Sequence, residues 1–233
     1  MSTAISTGFE GRGPRPSPGS RKVSGLAKLK RMKIEQIKSQ LARVGDKTLG
    51  ESGDMTFQER REYHHALGRE VRPAGVLILL IQRDDALNIV LTQRTAHLHD
   101  HAGQISFPGG RYEPEDADIV ATALRESFEE IGTESKQIHV LGSLPNYVTV
   151  TAYEITPVVA TSPPQTFTCD PFEVADAFEL PLAHVLNEKS WRRDSFLREG
   201  QRREYWAVPY NERYIWGATA GMLRTFREVL LQP

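Results

Sequence analysis

Glu126, Glu129 and Glu130 are the residues of this chain whose types and spacing could do chemistry. At i, i+3 and i+4 they share one face of any helix that carries them. Three carboxylates held that close repel unless something cationic lies between them. A hard divalent metal suits them, because Mg²⁺ takes oxygen ligands and bridges protein carboxylates to substrate phosphates. The chemistry implied is a metal-dependent attack on a phosphate-containing substrate. Arg125 beside them can orient a carboxylate through a planar two-point contact. A solvated acidic helix face is the plainer reading of RExxEE alone. Glycines on both sides argue against it. Gly109 and Gly110 allow close backbone approach, the Gly110 carbonyl could join a metal shell, and Gly132 suits a helix C-cap.

These residues need elements to position them. Residues 118–131 read as a helix. At 100° per residue, Val120, Leu124, Ser127, Phe128 and Ile131 fall on one arc suited to packing on a sheet. The three glutamates fall on another arc, which would face a cleft. Residues 76–81 (VLILLI) and 88–94 (NIVLTQR) read as strands joined by a hairpin loop. Residues 105–107 make a short strand ending at Pro108-Gly109-Gly110. Further strands are expected at 140–144 and 153–160. Short helical pieces are expected at 172–178 and 182–186, and a terminal helix at 216–231. Strands and helices alternate irregularly, which implies an α/β fold with a mixed sheet flanked by helices.

Composition excludes several classes. A hydrophobic fraction of 39% and a charged fraction of 25% in 233 residues suit a globular protein. The single cysteine, Cys169, rules out a disulfide framework within the chain and argues against a cysteine-based zinc site. No apolar run reaches the roughly 20 residues needed to span a bilayer as a helix. No secretory signal is visible at the N-terminus. The reading is a cytoplasmic protein with no membrane partner. The formal net charge of -1 conceals an asymmetry: residues 1–50 carry 11 Lys and Arg against three acids, a net of +8, leaving -9 for the rest.

That basic beginning divides in two. Residues 1–22 are rich in Ser, Gly, Pro and Arg and are expected to be disordered. A mitochondrial transit peptide is the alternative, which the Pro and Gly cluster opposes. Residues 23–71 form an N-terminal extension. Within it, 24–44 are helical in pattern, with an apolar stripe of Leu26, Leu29, Ile34, Ile37, Leu41 and Val44 among lysines. Docking on the domain or on a partner subunit is favoured over a nucleic-acid or membrane-surface helix, because no aromatic interleaves the basic residues. No nucleic-acid partner is expected, and a homodimer is left open.

The stretch 110–132 resembles the Nudix box, G-x5-E-x7-R-E-U-x-E-E-x-G-U with U apolar. Gly110, Arg125, Glu126, Glu129, Glu130 and Gly132 match. Departures are one extra residue between Gly110 and Arg125, Asp116 at the first Glu, and Ser127 and Thr133 at apolar positions. Upstream, Leu91, Thr92, Arg94, Gly103 and 107–110 resemble the signature of coenzyme A pyrophosphatases, L-L-T-x-R-[SA]-x3-R-x3-G-x3-F-P-G-G. Val90 stands there at the first Leu, Thr95 at the small residue and His99 at the second Arg. The resemblance runs on through 156–159, 172–174 and 215–220, covering about 72–230.

It implies a Nudix α/β/α sandwich over 72–230. It also implies hydrolysis of the diphosphate of coenzyme A or acyl-CoA to 3′,5′-ADP and a 4′-phosphopantetheine product. The cofactor would be Mg²⁺ or Mn²⁺, held by Glu126, Glu129, Glu130 and Gly110. Arg125, Glu129, Glu130 and Glu173 would be catalytic, with Glu173 as candidate base from outside the box. Substrate contacts would come from Arg94, His99, His101, Gly103 and Phe107. His97, His99 and His101 alternate and could share a strand face as a transition-metal site; a loop lining a polyanion is preferred. At His99 a histidine carries only part of the charge near pH 7 that an arginine would carry. Two other readings stand beside this one: a Nudix hydrolase of ADP-ribose, NADH or capped RNA, and a non-catalytic Nudix-fold binding module.

Overall fold

The computed structural model describes residues 32–44, 51–52, 55–97, 103–198 and 200–233. The expected N-terminal tail, the first part of the helix at 24–44, and His99 and His101 lie outside the described residues.

Helix α1 (Ile34–Val44) comes first, followed by a short hairpin, β1 (Glu51–Ser52) and β2 (Met55–Thr56), and helix α2 (Phe57–Ala66). Then β3 (Arg72–Arg83) and β4 (Ala86–Arg94) form the expected hairpin, turning at Asp84 with φ 51°. Short strands β5 (Ile105–Ser106) and β6 (Gly109–Arg111) lead to helix α3 (Ile119–Ile131). Strands β7 (His139–Ser143), β8 (Tyr147–Val148), β9 (Tyr153–Ser162) and β10 (Val174–Pro181) follow, then helix α4 (Leu182–Leu186). A three-stranded sheet of β11 (Arg192–Arg198), β12 (Gln201–Tyr210) and β13 (Arg213–Trp216) precedes the terminal helix α5 (Gly217–Leu231).

The main sheet runs β10-β4-β3-β9-β7, with β5 on β4, β6 on β3 and β8 on β9. β3 and β9 pair in parallel over ten residues, while β3 and β4 are antiparallel. The sheet is therefore mixed. Along β3, alternate residues point to opposite faces. Val76, Ile78 and Leu80 join one core with α1, α4 and α5. Leu77, Leu79 and Ile81 join a second core with Ala123 and Ile131 of α3. Helices thus cover both faces of a mixed sheet, the α/β/α arrangement expected.

Ile37, Leu41 and Val44 are buried in the larger core, so α1 docks on the domain itself. Residues 172–178 contain no helix: from Val174 onward the chain is β10, which pairs with β4 across a bulge between Val174 and Asp176. The backbone edge of β4 requires a hydrogen-bonding partner, and that demand overrides the weak local pattern. The glutamate helix packs on most of the face expected, with Ser127 and Ile131 buried and Val120 and Leu124 against the second core, but the edge of that face differs. Thr122, Ala123, Ser127, Glu130 and Ile131 are buried, while Phe128 is 56% exposed. The sheet contact is rotated so that Glu130 enters the buried face and Phe128 leaves it.

Candidate active site

Helix α3 starts at Asp118, whose side chain accepts from Ala121 N, and stops at Gly132 in the left-handed region at φ 73°. Its position on β3 depends on glycines. A Cβ on Gly75 would come within 2.6 Å of Ile119 O, so the helix backbone rests directly on the strand. Gly110, paired with Gly75 on β6, faces the same way. A Cβ there would overlap the Glu126 carboxylate, so this glycine brings Glu126 against the strand backbone. Gly109, at φ 149°, is pressed against Gly75 and Val76 and admits no side chain either.

Arg125 organises the cluster. Its Nε and Nη2 donate to the two oxygens of Asp116 at 2.9 and 3.1 Å, a bidentate pair. Its Nη1 reaches Glu126 Oε1 at 3.0 Å and Glu129 Oε2 at 3.1 Å. Nη2 also donates to the Arg111 carbonyl at 3.1 Å. Asp116 is buried and takes two more donors, Glu113 N at 3.0 Å and Thr122 Oγ1 at 2.8 Å. The Arg125 guanidinium holds its carboxyl well below the usual carboxylate range. Asp116 thus anchors the arginine that spans two of the three glutamates. It was visible in the sequence as a departure from Glu in the box, and the assignment of function to it comes from these contacts.

Glu130 is buried, with Oε1 3.7 Å from Arg94 Nη1 and Oε2 accepting from Gly109 N at 3.3 Å. Burial pushes its carboxyl up to about 8, and repulsion from Glu126 and Glu173 adds to that against partial relief from Arg94 and Gly109 N–H. Burial likewise raises Glu126, with Arg125 opposing and Glu129 and Glu173 adding repulsion. Glu173, from the far side of the sheet order, is therefore near enough for its charge to act on both. Thr95 N donates to the Glu173 carbonyl at 2.9 Å, tying that residue to the end of β4.

Arg94, Arg125, Glu126, Glu129, Glu130, Glu173 and Gly110 thus gather at the junction of β4, β6, α3 and the start of β10. Gly103 lies in the loop before β5 at φ 68°, with open space at its Cβ position. Phe107 is 2% exposed and packs in the larger core, so its ring offers no surface to a ligand. Ser127 and Thr133, the two polar departures from the box, are both buried, and Thr133 Oγ1 donates to Ser127 Oγ at 2.9 Å. Each satisfies the other, so the pair stands where two apolar residues are usual. Cys169 is not activated: burial raises its thiol. Two concavities, of about 430 and 490 Å³, lie away from the carboxylates, one against α1 and one beyond Gly132. Chemistry rather than concavity locates the site.

The donor set suits a hard divalent cation. It is all oxygen, with Glu130 buried, Glu126 partly so and Glu129 exposed, and burial raises the Glu130 carboxyl to about 8 with repulsion from Glu126 and Glu173 adding to it. Among the described residues no group of three or more His, Cys, Asp or Glu is arranged to hold a metal ion. Arg125, reaching both Glu126 and Glu129, accounts for their present orientation.

Residues 71–199 match the NUDIX domain family. The chain belongs to the Nudix hydrolase family. Two relatives, each named as an uncharacterized Nudix hydrolase NudL, come from Escherichia coli O1:K1 / APEC and Shigella boydii serotype 18 (strain CDC 3083-94 / BS512). Each is 39% identical over 154 residues, covering 66% of this chain and 80% of the relative. Among solved structures, the chain is similar to a MutT/nudix family protein from Enterococcus faecalis, with a TM-score of 0.45 and 13% identity over 85% of this chain and 75% of that one. It is also similar to the NUDIX domain of Shewanella oneidensis NrtR, complexed with ADP ribose, with a TM-score of 0.40 and 23% identity over 57% of this chain and 87% of that one. No helix among the described residues is long and apolar enough to cross a membrane.

Proposed function

We propose that this protein hydrolyses the diphosphate linkage of coenzyme A or acyl-CoA, releasing 3′,5′-ADP and 4′-phosphopantetheine or its acyl form. The observation that carries diphosphate hydrolysis is Glu126 held against Gly110 and Glu130 held against the Gly109 N–H, with burial raising both carboxyls and repulsion between them and from Glu173 adding to it. The stretch from Leu91 to Gly110, with its likeness to the coenzyme A pyrophosphatase signature, directs the proposal to coenzyme A. The catalytic domain is taken as 72–230, with 23–71 as an extension.

Glu126, Glu129 and Glu130, with the Gly110 carbonyl, would hold Mg²⁺ or Mn²⁺. When bound, such a cation neutralises phosphate charge and lowers the pKa of a coordinated water. The remaining work falls to the chain. Arg94, at the end of β4, offers a permanent charge to a phosphate oxygen. Arg125, fixed by Asp116, keeps Glu126 and Glu129 aligned. Glu173, which lies outside the glutamate helix, is the candidate base that would take a proton from the attacking water. His99, His101 and Gly103 are assigned to the substrate through the signature loop.

The test is a product assay with Mg²⁺ or Mn²⁺ across coenzyme A, ADP-ribose and NADH. Formation of 3′,5′-ADP from coenzyme A is expected. Turnover of ADP-ribose without coenzyme A would overturn the substrate, and turnover of none would overturn the enzyme.

A further inference from the structure

The turn that carries Glu173 also holds an aromatic ring out in water. Phe172 is 65% exposed. The exposed His97 ring lies against it, with centroids 5.1 Å apart and planes inclined at 60°. A lone exposed phenyl on a loose loop would need no explanation. This turn is tightly bonded. Phe172 N donates to Asp170 Oδ1 at 2.8 Å, and its carbonyl accepts from Thr95 Oγ1 at 2.8 Å. Asp170 N donates to Glu130 O at 2.9 Å, and Val174 N to Asp170 O at 2.8 Å. The backbone under the ring is therefore tied to the end of β4 and the last turn of α3. Those are the elements that supply Arg94 and Glu130. Holding an apolar ring in solvent with this many bonds gains nothing for the fold. It places a flat apolar surface one residue from Glu173, at the edge of the carboxylate cluster.

We propose that Phe172 and His97 form a stacking wall for the nucleobase of the substrate. This rests on the nucleotide-diphosphate reading above and adds a subsite to it. A nucleobase is a flat, uncharged π-surface joined to its phosphates through a ribose, so it lies beside the phosphate site and not within it. The charged end of the substrate meets Arg94, and the flat end meets the ring pair. Phe172 has no hydrogen-bonding group, so stacking selects a planar base without reading its edges.

Direct binding decides it. 5′-AMP and ribose 5-phosphate share the sugar phosphate and differ by the base. Calorimetric titration of the full chain in Mg²⁺ is expected to show 5′-AMP binding about tenfold more tightly. Phe172→Ala and His97→Ala should each erode that preference, and Phe172→Trp should keep it. With a turned-over nucleotide substrate, Phe172→Ala should raise KM about tenfold and move kcat by less than about twofold, the pattern of lost uniform binding. Equal binding of the two probes by the unaltered protein, absence of binding by either, or a preference that survives Phe172→Ala would each overturn the wall. A protein that prefers 5′-AMP through Phe172 yet cleaves no diphosphate would instead overturn the hydrolase reading and leave the wall standing.

Discussion

Replacing Asp116 with Asn tests the arrangement of the site at its anchor. The two oxygens of Asp116 accept four bonds: Oδ2 from Glu113 N, Thr122 Oγ1 and Arg125 Nη2, and Oδ1 from Arg125 Nε, at 2.8 to 3.1 Å. All four partners are donors. An amide of the same shape can keep three of these bonds at best, and its NH₂ then faces the Arg125 Nε–H. The charge that balanced the guanidinium is also gone. Breaking one side of a buried ion pair costs about 3–5 kcal/mol, and a hydrogen bond to a charged group contributes about 1.5–3 kcal/mol. Arg125 is one quarter exposed, at 25%, and three bonds survive, so the loss should fall near the bottom of the range, about 3 kcal/mol. For a chain of this size that lowers Tm by about 6–12 °C.

The effect has a defined pH dependence. A carboxyl whose pKa is depressed by folding contributes stability that is complete above its unfolded value, about 4, and lost as pH falls toward the folded value. The Tm gap between the two proteins should therefore be full at pH 7 and narrow below about pH 4. Freed from Asp116, Arg125 no longer fixes Glu126 and Glu129, and the Mg²⁺ concentration for half-maximal turnover should rise about 10- to 100-fold. Thermal unfolding by circular dichroism and a Mg²⁺ titration of hydrolysis measure both. A variant within about 1 °C of the parent at pH 7, with unchanged Mg²⁺ dependence, would refute the anchoring role.

Glu130→Gln should abolish turnover and leave the fold intact. Folding raises the Glu130 pKa to about 8, so in chelator the parent should lose stability as pH rises from about 4 toward that value, and the variant should exceed it in Tm by more at pH 8 than at pH 5. Divalent metal should raise the Tm of the parent and not of the variant, and an equal rise in both would remove Glu130 from the metal site. Gly110→Ala, whose Cβ overlaps the Glu126 carboxylate, should reduce kcat/KM about 100-fold with little change in the circular dichroism spectrum. For the buried Ser127–Thr133 pair, Ser127→Ala and Thr133→Val should each cost about 1–2 kcal/mol in urea unfolding, while the double variant costs less than their sum. Additive losses would show that the hydroxyls do not satisfy each other.

Much of the architecture could be read locally. The apolar runs at 76–81 and 88–94 became β3 and β4, because a strand buried on both faces is apolar throughout. Gly132 capped α3 because the left-handed conformation there favours glycine. Elements without a local apolar signal went unread. Helix α2 buries Arg60 and His64 and no apolar side chain, although Thr56 and Glu59 form a capping box that its sequence does display. The sheet of β11, β12 and β13 mixes arginines and aromatics without a clean apolar alternation, and its strands exist through pairing with one another. β10 depends in the same way on β4, and pairing partners far apart in sequence leave little trace in either segment.

What the sequence determined by itself is the chemistry on offer. Helical geometry alone puts Glu126, Glu129 and Glu130 together, since residues three and four apart must share a face. The tertiary structure decided how that chemistry is held and charged. It rotated α3 so that Glu130 is buried, and that burial raises its pKa. It brought Asp116 from the preceding loop to Arg125, and Glu173 from beyond β9 to the other carboxylates, and it left Phe172 exposed beside them while enclosing Phe107. Burial and charge coupling depend on distances through space. Those distances are set by which strands pair and where glycines let a helix rest on a sheet, neither of which is a property of any short run of residues.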